Sequence, residues 1–342
     1  MLALRLIAEG RLVCEEQPPP PPPGPGEARL RMKAIALNHI DLWGFRGMAF
    51  ARRTLPITVG VEGVGEVEAL GEGVTAPPPG TRVGVYSGLV CGRCGRCREG
   101  RENLCEAVAG IMGFHVDGLA AQAVNVPARL LVPVPDGPSW VQAACGPVTF
   151  ATVQHMLFDN ARLEPGESIL VHAAGSGVGS TAILMAKRLG CTVFATVGSD
   201  DKIDKARAIG ADHVINYRRE RFEGVVRRLT GKRGVDVVFE HVGPDTWSGS
   251  LLSLARGGRL VTCGSTSGMS AETNLFHLFQ QQLRIIGSFG ASLRNIREGY
   301  AQMASGAALP VIDSEIPLAE LGAGLERMRA RRVFGKIVVT IP

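Results

Sequence analysis

Long apolar runs are missing from this chain. No segment reaches the roughly 18–20 consecutive apolar residues that a spanning helix needs. The opening stretch MLALRLIAEG carries Arg5 and Glu9, so it is too short and too charged for a signal peptide or a membrane span. Aromatics are scarce: 5% of residues, with three Trp and three Tyr, forming no stripe on which bases would stack. A dominant charge is missing too. The 37 basic and 32 acidic side chains leave a formal net charge of +5, mildly basic and unlike a protein that coats nucleic acid. Outside one segment, cysteines stand singly at Cys14, Cys145, Cys191 and Cys263. That scatter suits a reducing cytoplasm rather than a disulfide framework. The expectation is a cytoplasmic protein with a small-molecule partner, no nucleic acid and no membrane.

What is present supports two domains. The chain has 342 residues, 45% of them apolar, enough for two cores. Residues 1–147 show short apolar runs (ARLRMKAIAL, VGEVEAL, RVGVYSGLV) between PPPPPPGPGE and TAPPPGTR, the pattern of a mostly β domain. The proline run 18–23 reads as an extended surface connection, because a strand pattern follows at once. Residues 148–288 change rhythm. SILVHA, VGSTAILMAKRLG, TVFATVG, DDKIDKARAIGA, HVINY, VDVVFEHVG, GGRLVTCG and LRIIGSFG mostly alternate strand with helix, which predicts an α/β fold with a parallel sheet wrapped by helices. Residues 289–342 return to the first domain with a helix (AELGAGLERMRARR) and a closing strand (GKIVVTI). The basic run RRERFEGVVRRLTGKRG (218–234) has helical apolar spacing and reads as a solvated helix face, with an anion site as the alternative.

The stretch SILVHAAGSGVGSTAILMAKRLG (168–190) predicts strand, glycine-rich turn, helix. Ala174, Gly175, Ser176, Gly177, Val178 and Gly179 form the turn. Its glycines allow close approach to a pyrophosphate, and the helix offers free N–H groups and its positive dipole end. An acidic residue for a free ribose 2′-hydroxyl belongs about 20 residues on. Val197 and Gly198 stand there, followed by Ser199 and Lys202. A hydroxyl and a cation suit a 2′-phosphate, so NADP(H) is favoured over NAD(H), with Asp200 and Asp201 arguing the other way.

LVCGRCGRCREGRENLCEAV (89–108) spaces Cys91, Cys94, Cys97 and Cys105 as C-x2-C-x2-C-x7-C. Four thiolates on one loop enclose Zn²⁺ tetrahedrally and leave no open position for substrate. The expectation is one structural zinc per chain. Gly92 and Gly95 relax the backbone, and Arg93, Arg96, Arg98 and Arg101 offset charge. Free thiols or a redox pair would leave the overlapping spacing unexplained.

Together these features resemble the medium-chain dehydrogenase/reductase superfamily over nearly the whole chain. The cysteine lobe is similar to the structural-zinc lobe of zinc-type alcohol dehydrogenases. AAGSGVGS resembles the superfamily's cofactor turn, GVEGVGEVEALGEGV (60–74) its GHE-x-x-G-x-V segment, and VFGKIVV its closing strand. The resemblance implies a GroES-like catalytic domain and a doubly wound Rossmann domain, assembled as a homodimer or homotetramer, with RLVTCG and RIIGSFG at the pairing edge of the sheet. Catalytic-zinc relatives carry cysteine where this chain has Asn38 in ALNHID, and histidine where it has Val61. A third ligand falls at Cys145 in AACGPVTF. Two of three ligands are gone, although His39 and Glu62 beside them leave a rebuilt site open. The pattern instead resembles the zinc-independent quinone oxidoreductases and enone reductases. Their N-x-x-D is matched by Asn38 and Asp41, their G-S/T-x-x-K by Gly198, Ser199 and Lys202, and their tyrosine by Tyr217 in VINYR. By resemblance, Thr149, Val242, Gly264, Ser288 and Lys336 join the cofactor contacts.

Three function classes follow. The first is NADPH-dependent hydride transfer to a conjugated carbonyl or quinone, whose own conjugation accepts charge without a metal. The second is an alcohol or aldehyde dehydrogenase with a degenerate or rebuilt site. The third is a silent NADPH-binding protein. His39 is the first candidate hydrogen-bond donor, with a surface or cofactor-contact role as its alternative. His115 in GFHVDG is the second, with loop solvation as its alternative. Asp41 either orients neighbours or ties its loop to the backbone. Cys145 is read as a small buried residue or, alternatively, a nucleophile.

Overall fold

The computed structural model describes residues 1–47 and 53–342. The chain divides into two compact units. One comprises Met1–Ala151, Ala291–Gly306 and Ile312–Pro342; the other comprises Thr152–Gly290 and Ala307–Val311.

Along the chain run β1 (Leu2–Ala8), β2 (Arg11–Glu16), β3 (Glu27–Ala36), β4 (Ile57–Thr58), β5 (Gly63–Leu70), β6 (Arg82–Val85), β7 (Ala123–Pro127) and β8 (Leu131–Pro133). After them come β9 (Ser168–Val171), β10 (Thr192–Val197), β11 (His213–Asn216), β12 (Val235–Glu240), β13 (Leu254–Thr262) and β14 (Arg284–Gly287), then β15 (Ile312–Pro317) and β16 (Lys336–Thr340).

The first unit is built on β3. Its sequence EARLRMKAIA alternates, and Ala28, Leu30, Met32 and Ala34 are fully buried on one face. Burying each large side chain of that row contributes about 1.5–3 kcal/mol. The larger sheet has the order β15-β16-β3-β5-β6-β8, with β7 also paired to β3. One edge of β3 therefore carries two partners: β7 against its first half and β16 against its end. Register then does functional work. Val338 pairs with Ala36 and Ile35 with Gly63, so antiparallel counting brings Lys336 and Glu62 to the end of β3, where Asn38 leaves the sheet. A smaller sheet, β2-β1-β4, joins the same core. The proline run is irregular and mostly exposed; Arg29 and Asn125 hold the carbonyls of Pro20 and Pro21.

The second unit is a six-stranded parallel sheet in the order β11-β10-β9-β12-β13-β14. Counted from β9, this is the 3-2-1-4-5-6 order of a dinucleotide-binding fold, with its switch point between β9 and β12. Ile169, Leu170 and Val171 are all at 0% exposure, as a central strand covered on both faces requires. The basic run forms a helix, Phe222–Leu229, that buries Phe222, Val225 and Val226. Its arginines face solvent and pair locally, Arg221 with Glu223 and Arg228 with Glu220. Among the described residues no helix is long and apolar enough to cross a membrane.

Candidate active site and metal centre

In the first unit, Asn38, Glu62, Thr149 and Lys336 form one hydrogen-bonded cluster. The Glu62 carboxylate is wholly buried. Its Oε1 accepts the amides of Val148 at 2.7 Å and Thr149 at 2.6 Å. Its Oε2 accepts Thr149 Oγ1 at 2.9 Å, Asn38 Nδ2 at 2.9 Å and Lys336 Nζ at 3.1 Å. The two amides belong to a wide turn, Gly146–Phe150, in which Phe150 N bonds back five residues to Cys145 O. Lys336 Nζ also donates to Leu37 O at 2.6 Å and Asn38 Oδ1 at 2.9 Å. Three protons thus meet three acceptors. Lys336, expected from the resemblance to contact cofactor, turns its ammonium to these three acceptors.

Asn38 caps the helix His39–Arg46, and Asp41 closes the reciprocal box by accepting Asn38 N at 2.8 Å. Asp41 also accepts Val61 N at 3.2 Å. Burial is the dominant influence on its carboxyl, raising the pKa to about 6. His39 opens the helix, exposed, with its ring edge-on to Trp43 at 6.3 Å. His115 sits apart from the cluster's bonds: its Nδ1 accepts Ile111 N at 3.1 Å, and its ring meets Phe114. Burial, aided by Arg53, lowers its pKa. The Cys145 thiol is fully buried, with Sγ 3.7 Å from Val141 O, and burial drives its pKa far above the usual range. That environment fits a small packed residue and opposes a thiolate nucleophile. Tyr300 packs on the turn that begins at Gly146, donating to Ala143 O at 3.2 Å; a Cβ at Gly146 would stand 2.2 Å from its ring.

Cys91, Cys94, Cys97 and Cys105 converge so that their four sulfurs lie within 4.8 Å of one another. Among the described residues no other group of three or more His, Cys, Asp or Glu side chains converges in this way. Zn–S bonds of about 2.3 Å place tetrahedral sulfurs about 3.8 Å apart, and Cys91 Sγ and Cys97 Sγ stand 4.0 Å apart. Backbone amides serve the sulfurs. Arg93 N and Cys94 N donate to Cys91 Sγ, and Cys91 N and Ala107 N to Cys105 Sγ, at 3.3–3.5 Å. The amides of Arg93 and Cys94 bring the Cys91 thiol down to about 6, whereas burial pushes Cys97 up to about 12. Gly92 has φ +70°, the left-handed conformation this tight loop needs. The donor set fits a closed structural zinc. Glu102 ties the lobe down by accepting Leu293 N at 3.2 Å.

In the second unit, Ser176 caps the helix Gly177–Arg188, its Oγ accepting Gly179 N at 2.9 Å. Gly177 and Val178 occupy the first turn, whose N–H groups have no intrahelical acceptor. A Cβ on Gly179 would lie 2.4 Å from Ala173 O, so only glycine closes this turn. At the end of β10, Tyr217 crosses Gly198: a Cβ there would meet its hydroxyl at 2.5 Å. Asp200 is turned to Asn216 and Arg219, and Ser199 is bonded to Asp201. Val242 N donates to Glu240, Gly264 packs on His241 O, and Ser288 Oγ accepts Asn160 Nδ2.

Comparison with known proteins agrees with this arrangement. Residues 24–136 match the "Alcohol dehydrogenase GroES-like domain" and residues 177–306 the "Zinc-binding dehydrogenase" family. The chain is 32% identical to an acryloyl-coenzyme A reductase of Metallosphaera sedula over 91% of each chain. It is 33% identical to a quinone oxidoreductase of Pseudomonas aeruginosa, covering 91% of this chain and 90% of that one. A crystal structure of an NAD-dependent alcohol dehydrogenase superposes with a TM-score of 0.94 at 39% identity over 100% of both chains. The chain belongs to the medium-chain dehydrogenase/reductase family. It is thus an oxidoreductase, with a GroES-like β-rich domain and a Rossmann-like parallel-sheet domain.

Sequence reading missed two features of this dehydrogenase/reductase. One is the pairing of Glu62 with Lys336; the trace in the sequence was a lone lysine opening an apolar strand. The other is a buried polar row in the second unit: His172, Thr196, Glu240 and Ser250, all at most 1% exposed. Its trace was Glu240 ending the otherwise apolar VVFE.

Proposed function

We propose that this chain reduces a conjugated carbonyl or quinone with NADP(H), without a catalytic metal. The saturated Glu62 carboxylate carries this reading. Where relatives place ligands, Val61 offers no donor atom, and Asn38 has its amide oxygen on Lys336 and its amide nitrogen on Glu62. Cys145 alone makes a poor site. The nicotinamide supplies or accepts the hydride. The protein's part is to align and polarise. His39, on the first turn of a helix fixed by the Asn38–Asp41 box, offers a hydrogen bond to the substrate oxygen. Thr149, held by Glu62, keeps its turn in place. Ser199, Lys202 and Tyr217 serve a 2′-phosphate, with Asp200 engaged elsewhere. The relatives named for acryloyl-coenzyme A and quinone reduction both act on conjugated acceptors, which supports the substrate class.

A second reading, an alcohol or aldehyde dehydrogenase with a rebuilt site, is favoured by the 39% identity to a structure titled an NAD-dependent alcohol dehydrogenase. A silent cofactor-binding protein is the third. Turnover of an enone, a benzoquinone and a primary alcohol, each with both dinucleotides, separates them. The expected result is enone or quinone reduction with NADPH preferred, the preference falling in Lys202→Ala. Alcohol oxidation as the main activity would overturn the reading, as would dinucleotide binding without turnover.

The same proposal includes a homodimer in the cytoplasm, with a homotetramer as the larger alternative. Among the described residues β14 ends its sheet, paired with β13 on one side, and Ile285 on it and Phe276, Phe279 and Phe289 in flanking sequence are exposed. Such an edge is suited to two-fold pairing with a second copy.

A further inference from the structure

Beneath the glycine-rich turn, four buried side chains and the half-buried Ala173 amide form a chain whose proton directions can be assigned. Glu240 Oε1 accepts the amides of Val242 at 2.6 Å and Gly243 at 3.1 Å. Oε2 accepts Thr246 Oγ1 and Ser250 Oγ, each at 2.8 Å. Ser250 spends its one proton on Glu240, so at its 2.8 Å contact with His172 Nε2 it must accept. Nε2 therefore carries hydrogen. In the neutral ring Nδ1 is then an acceptor, and Thr196 Oγ1, 3.1 Å away, donates to it. Thr196 Oγ1 in turn accepts Ala173 N at 3.1 Å. The row runs one way: Ala173 N–H to Thr196 to His172 to Ser250 to Glu240. Burial lowers the His172 pKa to about 4, so the ring stays neutral. Its neighbours are Phe222, edge-on at 4.9 Å, and His241, whose Nε2 bonds His172 O at 2.9 Å.

The row ends on a strained residue. Ala173 has φ +48°, left-handed for a residue with a Cβ, a conformation that persists only when its surroundings over-determine it. Thr196 supplies that constraint twice: its Oγ1 takes Ala173 N, and its carbonyl takes Ala174 N at 2.9 Å. Ala173 O accepts Ser176 N at 2.8 Å and lies against Gly179. Through Ser176, whose N bonds Ala173 O and whose Oγ accepts Gly179 N, Ala173 is tied to the start of the helix. At its other end the row fixes Val242 and Gly243, across the β9/β12 switch point.

We propose that His172 is a positioning residue, held as its Nε2–H tautomer by Ser250 and Glu240, that fixes the Ala173–Gly179 turn for a dinucleotide pyrophosphate. This rests on reading that turn as the dinucleotide cradle and is indifferent to NAD(H) or NADP(H). The test has two arms on the full-length protein. Nitrogen-15 spectroscopy of the imidazoles should show His172 protonated at Nε2 and bare at Nδ1, with and without NADPH. Titration with NADPH and NADH should show Thr196→Val and Ser250→Ala binding about tenfold more weakly, with saturated turnover within about twofold of wild type and Thr196→Ser restoring affinity. An Nδ1–H tautomer overturns the proposal, and needs no variant to fold. So does a Thr196→Val protein that loses thermal stability yet binds as tightly as wild type. A wild-type protein that binds neither dinucleotide removes the cradle reading itself.

Discussion

Replacing Lys336 by methionine tests the electrostatics of the first unit. The change keeps most of the stem volume and removes the ammonium, leaving the Glu62 carboxylate at 0% exposure without its counter-charge. Removing one member of a buried ion pair costs about 3–5 kcal/mol. Glu62 keeps four donors, from Val148 N, Thr149 N, Thr149 Oγ1 and Asn38 Nδ2, which places the loss near the lower end, about 3 kcal/mol. Leu37 O also loses its lysine donor, and an unsatisfied buried acceptor adds about 1 kcal/mol or more. For a unit of roughly 200 residues, the combined loss of about 4 kcal/mol corresponds to about 8–16 °C in Tm. Unit-specific readout is needed because two units do not have to melt together. Trp43 and Trp140 lie in the first unit and Trp247 in the second, so a W247F background reports the first alone. The double variant K336M/E62Q should regain about half of the loss, because no uncompensated charge remains. Strict additivity of the single variants within about 0.5 kcal/mol would refute the reasoning.

Two further outcomes are expected. Metal analysis should give about one zinc per chain, and Cys105→Ser should abolish it and lower the melting midpoint of the first unit; about two zincs per chain in the wild type would contradict the proposed metal-free site. Asp41 should make stability fall as pH rises from about 4 to 6, because its folded carboxyl, raised to about 6 from 3.8, holds a proton the unfolded chain has released. The effect is about 3 kcal/mol at most. Urea midpoints of wild type and Asp41→Asn should diverge across that window in favour of the variant; a constant difference would show that Asp41 does not titrate there.

The β strands and the cysteine lobe were legible because their signals are local. VDVVFE and TVFATV are short β-branched runs, and the four cysteines lie within 15 residues of one another. The Glu62–Lys336 pair joins residues 274 apart in sequence. It depends on two strand registers set by the whole sheet, which no local pattern encodes. Resemblance gives Lys336 a position but no direction; its bonds to Leu37 O, Asn38 Oδ1 and Glu62 follow from the register with β3. His172 directly follows the strand before the glycine turn, and its bonds are not legible there because Ser250 and Glu240 reach it from the far side of the sheet's switch point.

The first unit holds two concentrations of potential ligands, and their electrostatics differ in kind. Around Glu62, the ammonium of Lys336 already stands 3.1 Å from the carboxylate. Asp41 and Cys145 are both pushed toward their neutral forms by burial. A divalent cation entering there would meet a carboxylate already holding five donors, an ammonium, an amide and one neutral thiol, and would have to displace the lysine from three bonds. Around Cys91 the situation is reversed. Three of the four thiols are only partly buried, and the surrounding amides stabilise charge on sulfur. Arg96 bonds Glu99 rather than a thiolate. Four thiolates without a cation would repel one another across about 4 Å, so the lobe is stable as folded with a metal, whereas the Glu62 cluster is complete without one. The difference supports the proposed metal-free site and a metal that serves as a clamp in the cysteine lobe.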